Sequence, residues 1–505
     1  MTEDRGRKTE DGGQRAEDSG QGPSRERNPS SALRLLSSGS LPLWMGFAIA
    51  GLLVVVVVLL GILAVSIMER RWEAQRPPVV VRPMGKWEPD NAVWGQNYPR
   101  EYESYLRTRD SDTQTKYGGS RPRDYLNIDP RQVILFAGYG FAKEYLQARG
   151  HFHSIEDVTK TARLIRPFNA GTCWSCKSTD VPRLMDKMGV KEFYASNFYD
   201  LASEVTHPIG CQDCHDPQTL KLRITRPALR EAFAAMGKDI DQATHQEMRS
   251  LVCANCHVEY YFRTDEKEGM KNYLTFPWAK GTTLEAVMAY YDGVEFKDYV
   301  HAISGTPILK AQHPDYELYS TGVHAYRNVS CADCHMPYRT EGGMKFTDHH
   351  VQSPLLNIAN RCAVCHRWSE DEIRTRVESI QAKTENAKLA AEDALVKAHF
   401  DVAAAAQAGA TAEDLAGPRK LLRQAQFRWD FISANNGMGF HSPQESMRLL
   451  GEAANLAQQA RIGAGRLLAR QGVMQPVTYP DVSTREKAWE VTQGFVQGQG
   501  VKLLP

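Results

Sequence analysis

Ala170-Gly171-Thr172-Cys173-Trp174-Ser175-Cys176-Lys177 is the stretch on which the reading of this chain turns. Two cysteines three positions apart have the spacing that forms thioethers to the two vinyl groups of one haem. The next residue then points back at the iron and is ordinarily histidine. Here that residue is Lys177. An amine ligates iron only as the free base, so folding and metal binding must remove its proton. A proximal ligand this unusual marks a haem for chemistry rather than for carrying electrons.

Four more copies carry the ordinary histidine: Cys211-Gln-Asp-Cys214-His215, Cys253-Ala-Asn-Cys256-His257, Cys331-Ala-Asp-Cys334-His335 and Cys362-Ala-Val-Cys365-His366. The chain has ten cysteines, and these five motifs use them all, leaving none for a disulfide. Paired C-x-x-C motifs also bind zinc. Four histidines at one fixed offset favour five covalently bound c-type haems over zinc sites. Covalent haem attachment implies export, so the haem-bearing part is expected on the periplasmic side of the cytoplasmic membrane.

The 505 residues could form several domains. Five macrocycles, however, replace much of the apolar side chain that an ordinary interior needs. The net charge of +1 and the lack of a basic block or nucleic-acid motif exclude a nucleic-acid-binding class.

Residues 1–40 are polar and of mixed charge, the composition of a disordered segment. Residues 41–68 hold an uncharged run, including Val54-Val-Val-Val-Val58, longer than the ~20 residues a bilayer crossing needs. It also exceeds the ~7–15 apolar residues of a cleavable signal. A single-pass anchor is therefore expected, with a soluble periplasmic form after signal cleavage as the alternative. Arg25, Arg27 and Arg34 precede the run, while Arg70, Arg71, Arg76 and Arg82 follow it. Positive charge thus mildly opposes the orientation that the haems require. Residues 69–83 read as a linker and 84–368 as the pentahaem region, with irregular spacers that exclude a solenoid. Residues 369–505 form a region of long helices.

Ser369-Glu-Asp-Glu372 is a capping box. Ile373, Val377, Ile380, Ala387, Ala391, Ala394 and Ala398 follow as a heptad-like stripe, suited to internal packing or to a homodimer seam. A second helix is expected after Gly417-Pro418. A third is expected from Ser442, with Pro443 at its first position. Strand signals are few. The expected fold is mainly α: a multihaem cytochrome c fold with a haem-packed core and long C-terminal helices, preceded by one transmembrane helix.

Fifteen histidines minus four in the motifs leave eleven, enough for second axial ligands on four haems. His441 precedes a helix start on a sharply turning backbone. His151 follows Gly150, which permits close approach to a flat ring. His324 lies just before Cys331, and His349 and His350 are adjacent, so only one of them is a ligand. Nothing local singles out His313 in Lys310-Ala-Gln-His313.

Together, Cys173-Trp-Ser-Cys-Lys177, His257-Val-Glu-Tyr-Tyr261, Lys310-Ala-Gln-His313 and Thr347-Asp-His349 resemble the pentahaem, ammonia-forming cytochrome c nitrite reductases, from about Gly138 to Leu468. The resemblance implies that Lys177 is the proximal ligand of the catalytic haem, with Arg163, Tyr260 and His313 in its pocket. It implies distal roles for His151, His324, His349 and His441 opposite His215, His257, His335 and His366, without assigning pairs. It also implies one calcium ion held by Glu259 and Gln312 side chains and by the Tyr260 and Lys310 carbonyls. A homodimer and a membrane quinol-oxidising multihaem cytochrome as electron donor complete the expectation. The long polar N-terminus and anchor depart from the usual soluble, signal-cleaved member. Two rival readings are an electron carrier, which leaves Lys177 unexplained, and a reductase of the same build preferring hydroxylamine or sulfite.

Overall fold

The computed structural model describes residues 42–75, 80–164, 169–498 and 501–504. The expected disorder of residues 1–40 lies outside these, as does part of the expected linker. The chain divides into two compact units, Met1–Pro78 and Val79–Pro505.

The described part of the first unit is helix α1, Leu43–Gln75. It continues seven residues past Met68, so the helix takes up part of the expected linker. Its Leu43–Glu69 span has a mean hydropathy of 3.2 with none of it buried. A helix apolar on every face has no polar side to turn to water. It is long and apolar enough to cross a membrane, as is a signal sequence.

In the second unit, α2 (Glu370–Gln407), α3 (Ala412–Ser433) and α4 (Pro443–Arg470) pack on one another. The Ser369 box forms as expected, with Ser369 N–H donating to Glu372 Oε2 at 2.9 Å. Ile373, Val377, Ala391, Ala394 and Ala398 of the stripe are buried within the chain, while Ile380 and Ala387 are half-buried. A matching row on α4, Ala453, Ala457, Ala460 and Ala464, is fully buried as well. Small side chains on long helices let their backbones approach closely.

The expected start of the second helix needs correction. It begins at Thr411, whose hydroxyl caps Asp414 N–H, and Pro418 lies inside it. The ring costs one hydrogen bond of the helix ladder. It nests against Gly463 of α4, where a Cβ would stand 3.1 Å from Pro418 Cγ. The third helix starts as expected at Pro443, although the Ser442 side chain makes no cap bond.

Among the described residues, no helix between 84 and 368 exceeds the ten residues of His245–Ala254 and Leu284–Gly293. Three antiparallel hairpins join them: β1–β2 (Tyr261–Asp265 with Met270–Thr275), β3–β4 (Tyr299–Val300 with Pro307–Ile308) and β5–β6 (Tyr338–Glu341 with Met344–Thr347). Helix α5 (Arg485–Val496) and α2 both pack on the short helix Arg131–Leu135, and α3 packs on β4. The haem-motif region and the long helices therefore form one compact unit.

Candidate active site

All ten motif cysteines, Lys177 and the eight candidate axial histidines line one continuous cavity of about 3520 Å³. Each motif folds as a tight turn that presents two sulfurs and the ligand together. His215, His257 and His366 donate their backbone N–H to the first cysteine of their own motif, at 3.0, 2.9 and 2.9 Å. Lys177 instead donates to Trp174, one residue nearer, at 2.9 Å. Its turn is tighter, which suits a side chain longer than imidazole. Trp174 is fully buried, stacks on Phe198 at 4.1 Å and donates its indole N–H to Phe198 O, fixing that turn.

The cavity pairs histidines distant in sequence. Ring centroids of His215 and His349 stand 6.2 Å apart, those of His324 and His366 6.3 Å, and those of His335 and His441 6.3 Å. Metal–imidazole bonds of ~2.0 Å, with each ring centroid ~1 Å farther out, place two such rings about 6 Å apart across one metal ion. His257 and His151 remain, both on the cavity wall and within electrostatic reach of each other. The spacing of these three pairs and the donor chemistry of all five motifs fit c-type haem.

Ring orientation is fixed by the other nitrogen. His215 Nδ1 donates to Leu220 O at 2.9 Å, His335 Nδ1 to Gln352 O at 3.0 Å and His349 Nδ1 to Thr347 O at 2.7 Å. His349 therefore points inward, while its neighbour His350 is buried with its backbone tied to Asp348. Gly150 adopts φ +117°, and an added Cβ there would make only ordinary contact. Its glycine is required by that left-handed backbone before His151, rather than by approach to a ring. Gly437, Met438 and Gly439 all have positive φ and turn the chain that delivers His441.

Arg163, Tyr260 and His313 line the same cavity as Lys177. The Arg163 guanidinium lies 4.3 Å over the Phe141 ring, with Nε bonded to Thr161 Oγ1 at 3.1 Å. Tyr260 stacks near Phe262 and is held protonated chiefly by burial. Burial brings His313 down to about 3, with the Lys177 charge adding to this only while the amine is protonated and unligated. His313 is thus neutral in the free site, and Arg163 is its standing cation.

Behind them lies a buried carboxyl group. Glu259, 1% exposed, accepts from Tyr291 O–H at 2.9 Å and from Gln312 N–H at 2.6 Å. Lys310 O accepts from Gln312 Nε2 at 3.1 Å, bringing the four implied calcium donors into one neighbourhood. Burial pushes Glu259 well up, Asp298 to about 7 and Glu317 to about 8. A hard cation would relieve that strain, and oxygen donors suit it. Among the described residues no group of three or more acidic, histidine or cysteine side chains is placed to hold a metal ion, so backbone carbonyls and the Gln312 amide would have to join Glu259.

Several contributors carry no local sequence signal. The Lys310 side chain plunges inward to Asp430 of α3 at 2.9 Å and lies 4.7 Å over Phe141, anchoring the His313 segment to a long helix. Arg226, 1% exposed, donates to Ser175 O at 3.0 Å and Ser178 O at 2.7 Å, on either side of Lys177. Its guanidinium pairs with Asp213 inside the next motif. His301 and His399 stack at 3.6 Å away from the cavity wall, as structural core histidines.

Residues 90–499 match the cytochrome c552 family. The chain is 49% identical over 457 residues to cytochrome c-552 of Bacteroides fragilis, covering 88% of this chain and 91% of that protein. It is 48% identical over 453 residues to cytochrome c-552 of Porphyromonas gingivalis, covering 88% and 90%. Among solved structures it is similar to the catalytic subunit of cytochrome c nitrite reductase from Desulfovibrio desulfuricans, a structure described with two calcium sites. That similarity has a TM-score of 0.73 at 31% identity, over 80% of this chain and 91% of that one.

Proposed function

This chain belongs to the cytochrome c552 family of cytochrome c nitrite reductases, and from that premise we propose that it reduces nitrite to ammonium, taking up six electrons and eight protons, at a haem held by Lys177. The observation that carries this reading is lysine in one motif out of five, on a cavity wall shared with Arg163, Tyr260 and His313. The haems, when bound, supply the redox centres and the electron relay.

The protein's own residues do the rest. Lys177 would hold the iron of that haem through its free-base amine, where the other four motifs offer imidazole. Arg163 holds the nitrite oxygens through charge-assisted hydrogen bonds. His313, neutral at rest, takes up a proton as the anion enters and passes it to an oxygen as each N–O bond breaks. Tyr260 donates a second proton from its phenol. The ring spacings support pairing His215 with His349, His335 with His441 and His366 with His324, which leaves His257 for His151. Calcium on Glu259, Gln312 and the Tyr260 and Lys310 carbonyls would hold Tyr260 and His313 in register, and its charge favours an anionic substrate.

The protein works as a homodimer on the periplasmic face. There α1 keeps it near a quinol-oxidising multihaem donor.

The test is Lys177→His in the haem-loaded protein, with turnover measured on nitrite, hydroxylamine and sulfite. Nitrite turnover is expected to fall by at least tenfold, with all five haems retained. Wild-type turnover in that variant, or a parent enzyme faster on sulfite than on nitrite, overturns the reading.

A further inference from the structure

One axial candidate is held differently from its siblings. His257 Nδ1 donates not to a carbonyl but to the Asp315 carboxylate, at 3.0 Å. Among the described residues, none of the other seven axial candidates has a carboxylate on its ring. Asp315 is itself fixed on the far side. Its Oδ1 accepts the backbone N–H of Asn436 at 2.7 Å, and its Oδ2 accepts Asn436 Nδ2 at 2.8 Å. Pro314 O accepts from Asn435 Nδ2 at 3.0 Å, so the α3–α4 connection grips this segment twice. Asp315 is 8% exposed, which keeps its charge from being screened by bulk water.

The position of this histidine gives the contact its meaning. The Cys256 sulfur is in contact with Cys176 of the lysine motif, and Cys253 is in contact with Cys331. The 253–257 motif is therefore the junction between the catalytic motif and the 331–335 motif. A carboxylate accepting a ligand's distal N–H raises that ligand's basicity, and a more basic ligand favours the ferric state. A carbonyl acceptor does the same more weakly, because it carries no net charge.

We propose that Asp315 is a positioning residue that lowers the reduction potential of the iron bound by His257, holding a strong reductant directly beside the catalytic haem. The proposal rests on the haem assignments above and adds the control of one centre's potential. Asp315 lies two residues after His313, so the same short segment both tunes the junction and carries the pocket histidine.

The test is a redox titration of the haem-loaded protein, followed by visible and electron paramagnetic resonance spectra, for two variants. Asp315→Asn keeps an acceptor and removes the charge. One low-spin centre is expected to shift toward higher potential by tenfold or more in its oxidised-to-reduced ratio, which is ~59 mV for a one-electron couple. The other three low-spin centres stay in place. Asn436→Ala removes a competing donor from Asp315 Oδ2 and leaves the carboxylate, so the same centre moves to lower potential. A purely structural role would not give opposite signs. If Asp315→Asn fails to load haem, the direction of the Asn436→Ala shift decides alone. No shift, a common shift of all centres, or the same direction in both variants overturns the proposal while leaving the nitrite reading intact. A parent protein without four low-spin centres overturns both.

Discussion

The haem-motif region and the long-helix region share one compact unit but are held by different physics. Between 84 and 368 the described helices are short, and the middle is a cavity walled by sulfur, imidazole and one amine. From 370 to 470 the helices are long, and their interior is filled by their own side chains, mostly alanine, leucine and aromatics with a few buried polar groups. The first region is completed by what it binds, whereas the second is completed by its own side chains. A covalently attached haem stabilises the folded state through the iron ligation and packing that only that state offers. Apolar burial needs no such help.

The sharpest way to break this contrast is to make the chain without haem attachment. Residues 84–368 are then expected to exchange their amide hydrogens as an unfolded chain would, while Ala391–Ala405, Leu422–Ile432 and Leu449–Leu468 stay protected. Uniform protection, or uniform loss, would show that the two regions do not differ. A smaller effect sharpens the second half. Leu395 is fully buried, and Leu395→Ala is expected to cost ~2–5 kcal/mol in chemical denaturation, with haem spectra unchanged.

The smallest effect is a pH dependence inside α2. Glu392 is fully buried without a hydrogen-bond partner, with Arg131 3.7 Å away. Burial, and then the neighbouring Asp129 charge, push its carboxyl well above the usual range. The folded chain therefore holds this proton more tightly than the unfolded one. Its contribution is fully present below the ordinary carboxyl range and declines as pH rises through the raised value. Glu392→Gln should flatten that decline, a difference on the order of 1 kcal/mol near neutral pH. An unchanged pH profile would show that another group controls it.

The two regions also differed in how far they could be read. The five motifs, their missing disulfides and the odd lysine are local patterns fixed by covalent chemistry, so they stand plainly in the sequence. The first long helix was legible through Ser369 and its apolar stripe. The second was misplaced because proline is ordinarily a helix breaker, and only the bare Gly463 opposite Pro418 permits it inside. Thr411, with Asp414 three residues on, is a capping pair that the expectation did not use. Candidate distal histidines could be named but not paired, since the proposed pairs join residues 42 to 134 positions apart. For His324 and His366 the gap is 42 residues. Asp315, Arg226 and Asp430 were silent for the same reason. A carboxylate or guanidinium acquires its role only when folding brings a distant partner to it.

Gly322 leaves one more lesson. A Cβ there would stand 2.0 Å from the carbonyl oxygen of His441, so two imidazole-bearing stretches touch backbone to backbone across a gap of 119 residues. A protein engineer who wished to graft either stretch into a designed scaffold could not lift it alone. The donor loop and its bare partner would have to be transplanted together, as one module made of two strips of chain.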